Sequence, residues 1–167
     1  MPHIQHLKNC PLFKGMTEEE IAVYRPATKQ VSFKTGEAIM TEGETGDTLV
    51  ILIRGEVTIS KKLTLLGDDE ADAKDKTFIT LTDEYRPFFG EMAMLMTDAI
   101  RTASVIASKD CEIVIMEKNS FQEASIKHPA VGLKVMENIA QKLATNLERE
   151  SKNVLKLTTA FSLILEE

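Results

Sequence analysis

FFGEMAMLMTDAIRTASV, residues Phe88 to Val105, is mostly apolar, yet it carries a glutamate directly after a glycine and an arginine ten residues later. Burying an unpaired ion costs far more than one side chain gains by the hydrophobic effect, so such a run normally excludes charge. Glu91 and Arg101 must therefore face something that compensates them. Gly90 permits backbone conformations that other residues resist. The EMAMLM that follows it has the residue types of a short helix, whose free N–H groups beside Glu91 would make an anion-friendly pocket. Arg101 comes after the turn-like Thr97-Asp98-Ala99-Ile100 and immediately before the strand TASVIA. A guanidinium at a strand entrance, facing backbone donors, suits a phosphate. Glu91 cannot bind that anion directly, but it can accept hydrogen bonds from hydroxyls such as those of a ribose. A ligand with one phosphate and an adjacent sugar hydroxyl satisfies both charges. The alternative is that Glu91 and Arg101 form an ion pair with each other.

Outward from this stretch, the chain between Gln30 and Met116 reads as short runs rich in β-branched residues: VSF, AIM, TLVILI, EVTIS, TFITL, RTASVIA and CEIVIM. Gly36, Gly43, Gly46 and Gly55 punctuate the first of them, and Arg54-Gly55 between LVILI and EVTIS reads as a hairpin. Many short strands with regular turns point to a sandwich or rolled barrel rather than a parallel α/β sheet. The segment Gly67–Lys76, GDDEADAKDK, reads as a solvated loop. It lacks the glycine and terminal glutamate of an EF-hand, which excludes a calcium loop of that kind.

Helices flank the strands. The first opens at Thr17, where Thr17 and Glu20 stand in capping-box spacing, and ends near Pro26. After the last strand, Asn119–Phe121 offers cap residues for a short helix reaching His128, and Pro129 suits the first turn of a second. That second helix carries a heptad seam. Leu133, Ala140, Leu147, Val154 and Phe161 occupy position a; Met136, Leu143, Glu150, Leu157 and Ile164 occupy position d. Nine of these ten are apolar, which argues for a partner helix along the seam. From Pro129 to Glu167 the helix would be roughly 55 Å long, longer than one small domain covers. A symmetric homodimer is expected, the alternative being a helix folded back onto its own barrel.

The 167 residues suit one domain with an appendage, and a net charge of −6 gives no general attraction for nucleic acid or anionic lipid. No nucleic acid and no membrane are expected as partners. The N-terminus, MPHIQHLKNC, lacks the basic and apolar regions of a signal peptide, so the expected location is cytoplasmic. Cys10 and Cys111 are read as reduced, buried thiols.

The run FGEMAMLMTDAIRTASV resembles the phosphate-binding cassette of the cyclic-nucleotide-binding domain. That module is shared by catabolite-activator-type regulators, cyclic-nucleotide-dependent kinases and cyclic-nucleotide-gated channels. The resemblance extends through LKNCPLFKGMTEEEI, the glycine pattern of EGETGDTLVILIRGEVTI and the closing pair of helices. It implies a mainly β fold with flanking helices, a jelly-roll β-roll over residues 1–128, and a long C-terminal lid and dimerisation helix over 129–167. The ligand it implies is cAMP or cGMP, with no cofactor and no metal. Arg101 would bind the cyclic phosphate, assisted by the backbone around Gly90, Met92 and Ala93, with Phe89 and Ala103 completing the cassette. Glu91 would take the ribose 2′-hydroxyl, Thr102 would sit beside the phosphate and near a syn purine, and Asn146 on the long helix would reach the base. The sequence departs from the family at Ile100, where proline is usual, and in DEYRPFFGE, which replaces a glycine-containing approach to the cassette. Its loop after Ser60 is also longer than usual.

Such a site needs no chemistry. A ligand-binding regulatory module, not an enzyme, is expected, acting by a ligand-linked rearrangement of the C-terminal helix. The chain stops at FSLILEE without a helix-turn-helix, so a stand-alone sensor with an unknown downstream partner is expected. Two rivals are a structural dimerisation module with a vestigial pocket and a cupin-like metalloenzyme. Against the latter, the chain has only His3, His6 and His128, none within a strand, and the first two read as a tail.

Overall fold

The computed structural model describes residues 4–62 and 75–165. Helix α1 covers Ile4–Lys8 and α2 covers Glu18–Ala22. The capping box forms as expected: the Glu20 N–H donates to Thr17 Oγ1 at 3.3 Å, and the Thr17 N–H donates to Glu20 Oε2 at 2.9 Å. α2 ends four residues short of Pro26, and a 3-10 turn over Arg25–Ala27 carries the proline. Pro26 has no N–H to donate to the Ala22 carbonyl, so the α-helical ladder cannot run on through it. His6 belongs to α1 rather than to a tail, because the fully buried Leu7 and the buried Cys10 draw this segment into the core. His3 lies outside the described residues.

Eight strands follow among the described residues: β1 (Thr28–Phe33), β2 (Ala38–Met40), β3 (Thr48–Arg54), β4 (Glu56–Lys62), β5 (Asp75–Thr82), β6 (Phe88–Phe89), β7 (Ser104–Ala107) and β8 (Cys111–Glu117). They form two four-stranded antiparallel sheets, ordered β1-β8-β3-β6 and β2-β7-β4-β5. One core lies between the sheets, with Val50, Leu52 and Ile113 facing Val57, Val105 and Ala107. The other lies between the first sheet and the helices, where Leu49, Ile51 and Met116 meet Tyr24, Phe121 and Val135. β3 is covered on both faces, so LVILI shows no polar alternation. Of the acidic segment 67–76, Asp75 and Lys76 open β5, opposite Lys62 and Lys61, and the rest lies outside the described residues.

Arg54-Gly55 is not a hairpin. β3 and β4 lie in different sheets, and Gly55 is the corner where the chain crosses from one to the other. Its φ is +102°, and a Cβ there would lie 2.5 Å from the Asp110 carbonyl oxygen, so neither the conformation nor the space admits a side chain.

The turn between β1 and β2 is tied down by Asp110, which accepts from Lys34 Nζ at 2.7 Å, the Thr35 N–H at 3.0 Å and Thr35 Oγ1 at 3.1 Å. Lys34 first, then Thr35, holds this carboxyl down to about 2, below its ordinary 3.8. A folded value below the unfolded one means the stabilisation is complete above the unfolded value and disappears as pH falls through about 2. Asp110→Asn is expected to flatten the fall of melting temperature that the parent chain should show between about pH 4 and pH 2, roughly the window between the two values. Melts across that range check it, and an unchanged slope refutes it.

Helix α4 (Lys118–Lys127) begins as soon as β8 ends, with Glu117 at its N-cap, so Asn119–Phe121 sits inside the helix instead of capping it. Tyr24 stacks on Phe121 with ring centroids 5.3 Å apart and shares a 2.9 Å hydrogen bond with Ser125, which seats α4 on the core. Helix α5 runs unbroken from Pro129 to Leu165. Val135 and Ile139 bury its first turns, and Asn138 Nδ2 donates to the carbonyls of Leu12 and Lys14 at 2.9 and 3.0 Å. Beyond Arg149 it leaves the barrel, with Val154 62% and Phe161 65% exposed. The helix therefore does not fold back entirely onto its own barrel. Cys10 and Cys111 are both free and buried, and burial pushes the Cys10 thiol up to about 12.

Candidate functional site

Arg101 is presented by two loops hydrogen-bonded to each other. The Arg101 N–H donates to the Glu44 carbonyl at 2.8 Å, the Gly43 N–H to the Arg101 carbonyl at 2.9 Å, and the Gly46 N–H to the Ala99 carbonyl at 2.8 Å. These bonds lay the guanidinium against bare backbone. A Cβ on Gly46 would lie 2.0 Å from Arg101 Nε, and one on Gly90, whose φ is +78°, would lie 2.8 Å from Nη1. Nη1 donates to the Thr48 carbonyl at 2.9 Å and Nη2 to Thr48 Oγ1 at 2.8 Å. Burial lowers the Arg101 pKa from its ordinary value, opposed by the carboxylates of Asp47 and Glu44. Among the described residues no carboxylate forms a salt bridge with this guanidinium.

Glu91 is 7% exposed and precedes the four-residue helix α3 (Met92–Leu95). Its partner is Lys142 of α5, whose Nζ donates to Oε2 at 3.1 Å and also to the Phe88 carbonyl. The ammonium lies 4.0 Å from the centroid of the Phe88 ring. Burial lowers the Lys142 pKa, opposed chiefly by the charge of Glu91. The ion pair weighed from the sequence, Glu91 with Arg101, is not formed. The expected cluster of free backbone donors is also reduced, since α3 is a single turn and the Ala93 N–H donates to the Gly90 carbonyl at 3.1 Å.

Between these groups lies a cavity of about 290 Å³. All the candidate residues line it: Phe89–Ala93, Arg101–Ala103 and, from α5, Asn146. Met40, Ile59, Leu81 and Val105 form an apolar wall. Thr102 is exposed and Asn146 half-buried, with Asn146 Oδ1 accepting from Arg149 Nη2 at 3.4 Å. Lys142 and Arg149 also line the cavity and were not anticipated from the sequence. The signal was present, because Lys142, Asn146 and Arg149 stand at helical spacing on one face, and a helix that brings Asn146 to the cavity brings its neighbours too. Among the described residues no group of three or more His, Cys, Asp or Glu is placed to hold a metal ion, and no helix is long and apolar enough to cross a membrane.

The family model for the cyclic nucleotide-binding domain matches residues 30–128. The chain belongs to this family of ligand-binding regulatory domains, as its cassette led us to expect. It is 31% identical over 116 residues to a cAMP-dependent protein kinase regulatory subunit of Hypocrea atroviridis. It is 26% identical over 119 residues to a cGMP-dependent protein kinase, isozyme 2, of Drosophila melanogaster. Each match covers 70% of this chain, but only 22% and 12% of those two relatives. Among solved structures, the catabolite activator protein of Thermus thermophilus superposes with a TM-score of 0.72 at 25% identity, covering 89% of this chain and 63% of that one. The β-roll with flanking helices and a long C-terminal helix is therefore the fold that the family implied.

Proposed function

We propose that the chain binds one cyclic mononucleotide, cAMP or cGMP, in this cavity and transmits its occupancy through α5. The observation that carries the reading is the imbalance of the two charges. Glu91 has its own cation in Lys142, whereas Arg101 lies on glycine backbone with donors to spare and, among the described residues, no carboxylate bridging it. A monoanionic phosphodiester supplies what Arg101 lacks. Glu91 accepts the ribose 2′-hydroxyl, Thr102 lies beside the phosphate, and Asn146 meets the base. The similarity to cAMP- and cGMP-dependent kinase proteins supports the ligand class.

In this reading residues 1–128 form the binding unit and 129–167 the lid and dimerisation helix. The module works without chemistry of its own. The exposed apolar seam of α5, from Leu147 through Val154, Leu157 and Phe161 to Ile164, pairs with a second copy in a homodimer. The two unpaired buried thiols accord with a cytoplasmic setting.

A thermal-shift screen with cAMP, cGMP, AMP, GMP and inorganic phosphate tests the ligand. A cyclic nucleotide at a hundred times its Kd adds about 2.7 kcal/mol, which for a chain of this size raises Tm by roughly 5–10 °C. AMP, GMP and phosphate are expected to do far less. No shift with either cyclic nucleotide would leave a dimerisation module with a vestigial pocket, and equal shifts with phosphate alone would sink the nucleotide assignment.

A further inference from the structure

An ammonium group has three N–H donors. In Lys142 one goes to the Phe88 carbonyl and one to Glu91 Oε2, and the charge rests over the Phe88 ring. Its head is thus committed to residues 88–91, while its backbone belongs to α5, and it has little left to offer a ligand directly. Glu91 is in the opposite position. Lys142 holds Oε2, and Oε1 is left to accept a further hydrogen bond. Both groups are largely buried, with side-chain exposures of 28% for Lys142 and 10% for Glu91, so removing the cation strands a carboxylate in a mostly apolar cavity. A stranded carboxylate turns toward water, and its second oxygen turns with it.

We infer that Lys142 is a positioning residue for Glu91: by charge and by a fixed hydrogen bond it aims the carboxylate at the ligand's ribose 2′-hydroxyl. Recognition of the sugar then depends on a side chain of α5 that does not itself touch the sugar. The inference rests on the nucleotide reading proposed above, and the experiment separates the two.

Calorimetric titrations of the whole chain use cAMP, cGMP and their 2′-deoxy analogues, and the quantity read is the ratio of deoxy to ribo Kd. In the parent chain a charge-assisted bond to the 2′-hydroxyl makes that ratio about tenfold or more. Lys142→Met is expected to collapse it to about threefold or less, Glu91→Gln to do the same, and Lys142→Arg to keep most of it. In a Glu91→Gln background, Lys142→Met should change the ratio no further, because the two residues act as one unit. If Lys142→Met does not yield folded protein, Lys142→Gln, which keeps a donor and loses the charge, serves in its place. A merely structural lysine would weaken both nucleotides together and leave the ratio intact, and that result overturns the inference. So does tighter binding of the ribo form, which would make Lys142 a competitor for Glu91. A parent chain that binds cAMP or cGMP without any 2′ preference overturns it as well, while the nucleotide reading survives. A parent chain that binds neither sinks the nucleotide reading itself, and the inference with it.

Discussion

Arg101→Ala is expected to weaken the proposed cyclic-nucleotide binding severely while the ligand-free protein keeps its fold. The phosphate would be left desolvated opposite no cation, at a cost of about 2–5 kcal/mol or more, which is a rise in Kd of roughly 30-fold to several thousandfold. The fold survives because the guanidinium does little for it. Arg101 is partly desolvated with no bridging carboxylate among the described residues, and its side chain gives two hydrogen bonds, both to Thr48. Each is worth about 1 kcal/mol net, and relief of the buried charge offsets part of that loss. Gly46→Ala should reproduce much of the binding defect without altering any charge, since its methyl would stand 2.0 Å from Arg101 Nε and push the guanidinium off its seat. Calorimetry measures the affinity and circular dichroism the fold. Unchanged affinity in Arg101→Ala would remove the basis of the assignment.

The second large effect is on assembly. Val154 and Leu157 are exposed members of the α5 seam, 62% and 61% accessible. Val154→Glu with Leu157→Glu is expected to convert the proposed dimer to a monomer. Full burial of such a side chain contributes about 1.5–3 kcal/mol, and two positions on each of two helices bring the loss to about 6–12 kcal/mol, enough to move a micromolar dimer beyond reach. The helical signal should persist where the backbone is held by the core, because Val135 and Ile139 are untouched. Sedimentation of both proteins at about 100 μM, well above a micromolar Kd, decides the matter. A parent chain that is already monomeric there ends the proposal of a homodimer through this helix.

The parts of the site legible in the sequence were those in which a residue's type conflicts with its surroundings. Glu91 and Arg101 stand out in an apolar run, and the glycines that let the backbone approach Arg101 lie in a recognisable pattern. Helical spacing puts Lys142 on the face of Asn146, but its pairing with Glu91 was not legible, because a lysine on a long helix looks like any solvated charge until the fold turns that face toward the cassette. The same limit explains the errors in the fold. Gly55 between two apolar runs is compatible with a hairpin or a corner, and only the pairing of β3 with β8 and of β4 with β7 distinguishes them. α1 is five residues long, too short for periodicity to declare it, and it is held by the burial of Leu7. The capping box and the α4–α5 break at Pro129 were legible because each depends on the stereochemistry of a few adjacent residues.

α5 carries no proline after its first residue and no glycine beyond Gly132, so nothing in its composition provides a hinge. It behaves as a beam clamped at one end by Val135, Ile139 and Lys142, with about 35 Å projecting past the clamp. A tilt of only about 5° beside the cassette sweeps the free end through roughly 3 Å. In the proposed homodimer that would be enough to lift an a-position side chain out of the hole of its partner helix. In the proposed mechanism the cavity is the short arm of a lever, and the apolar stripe is the long one.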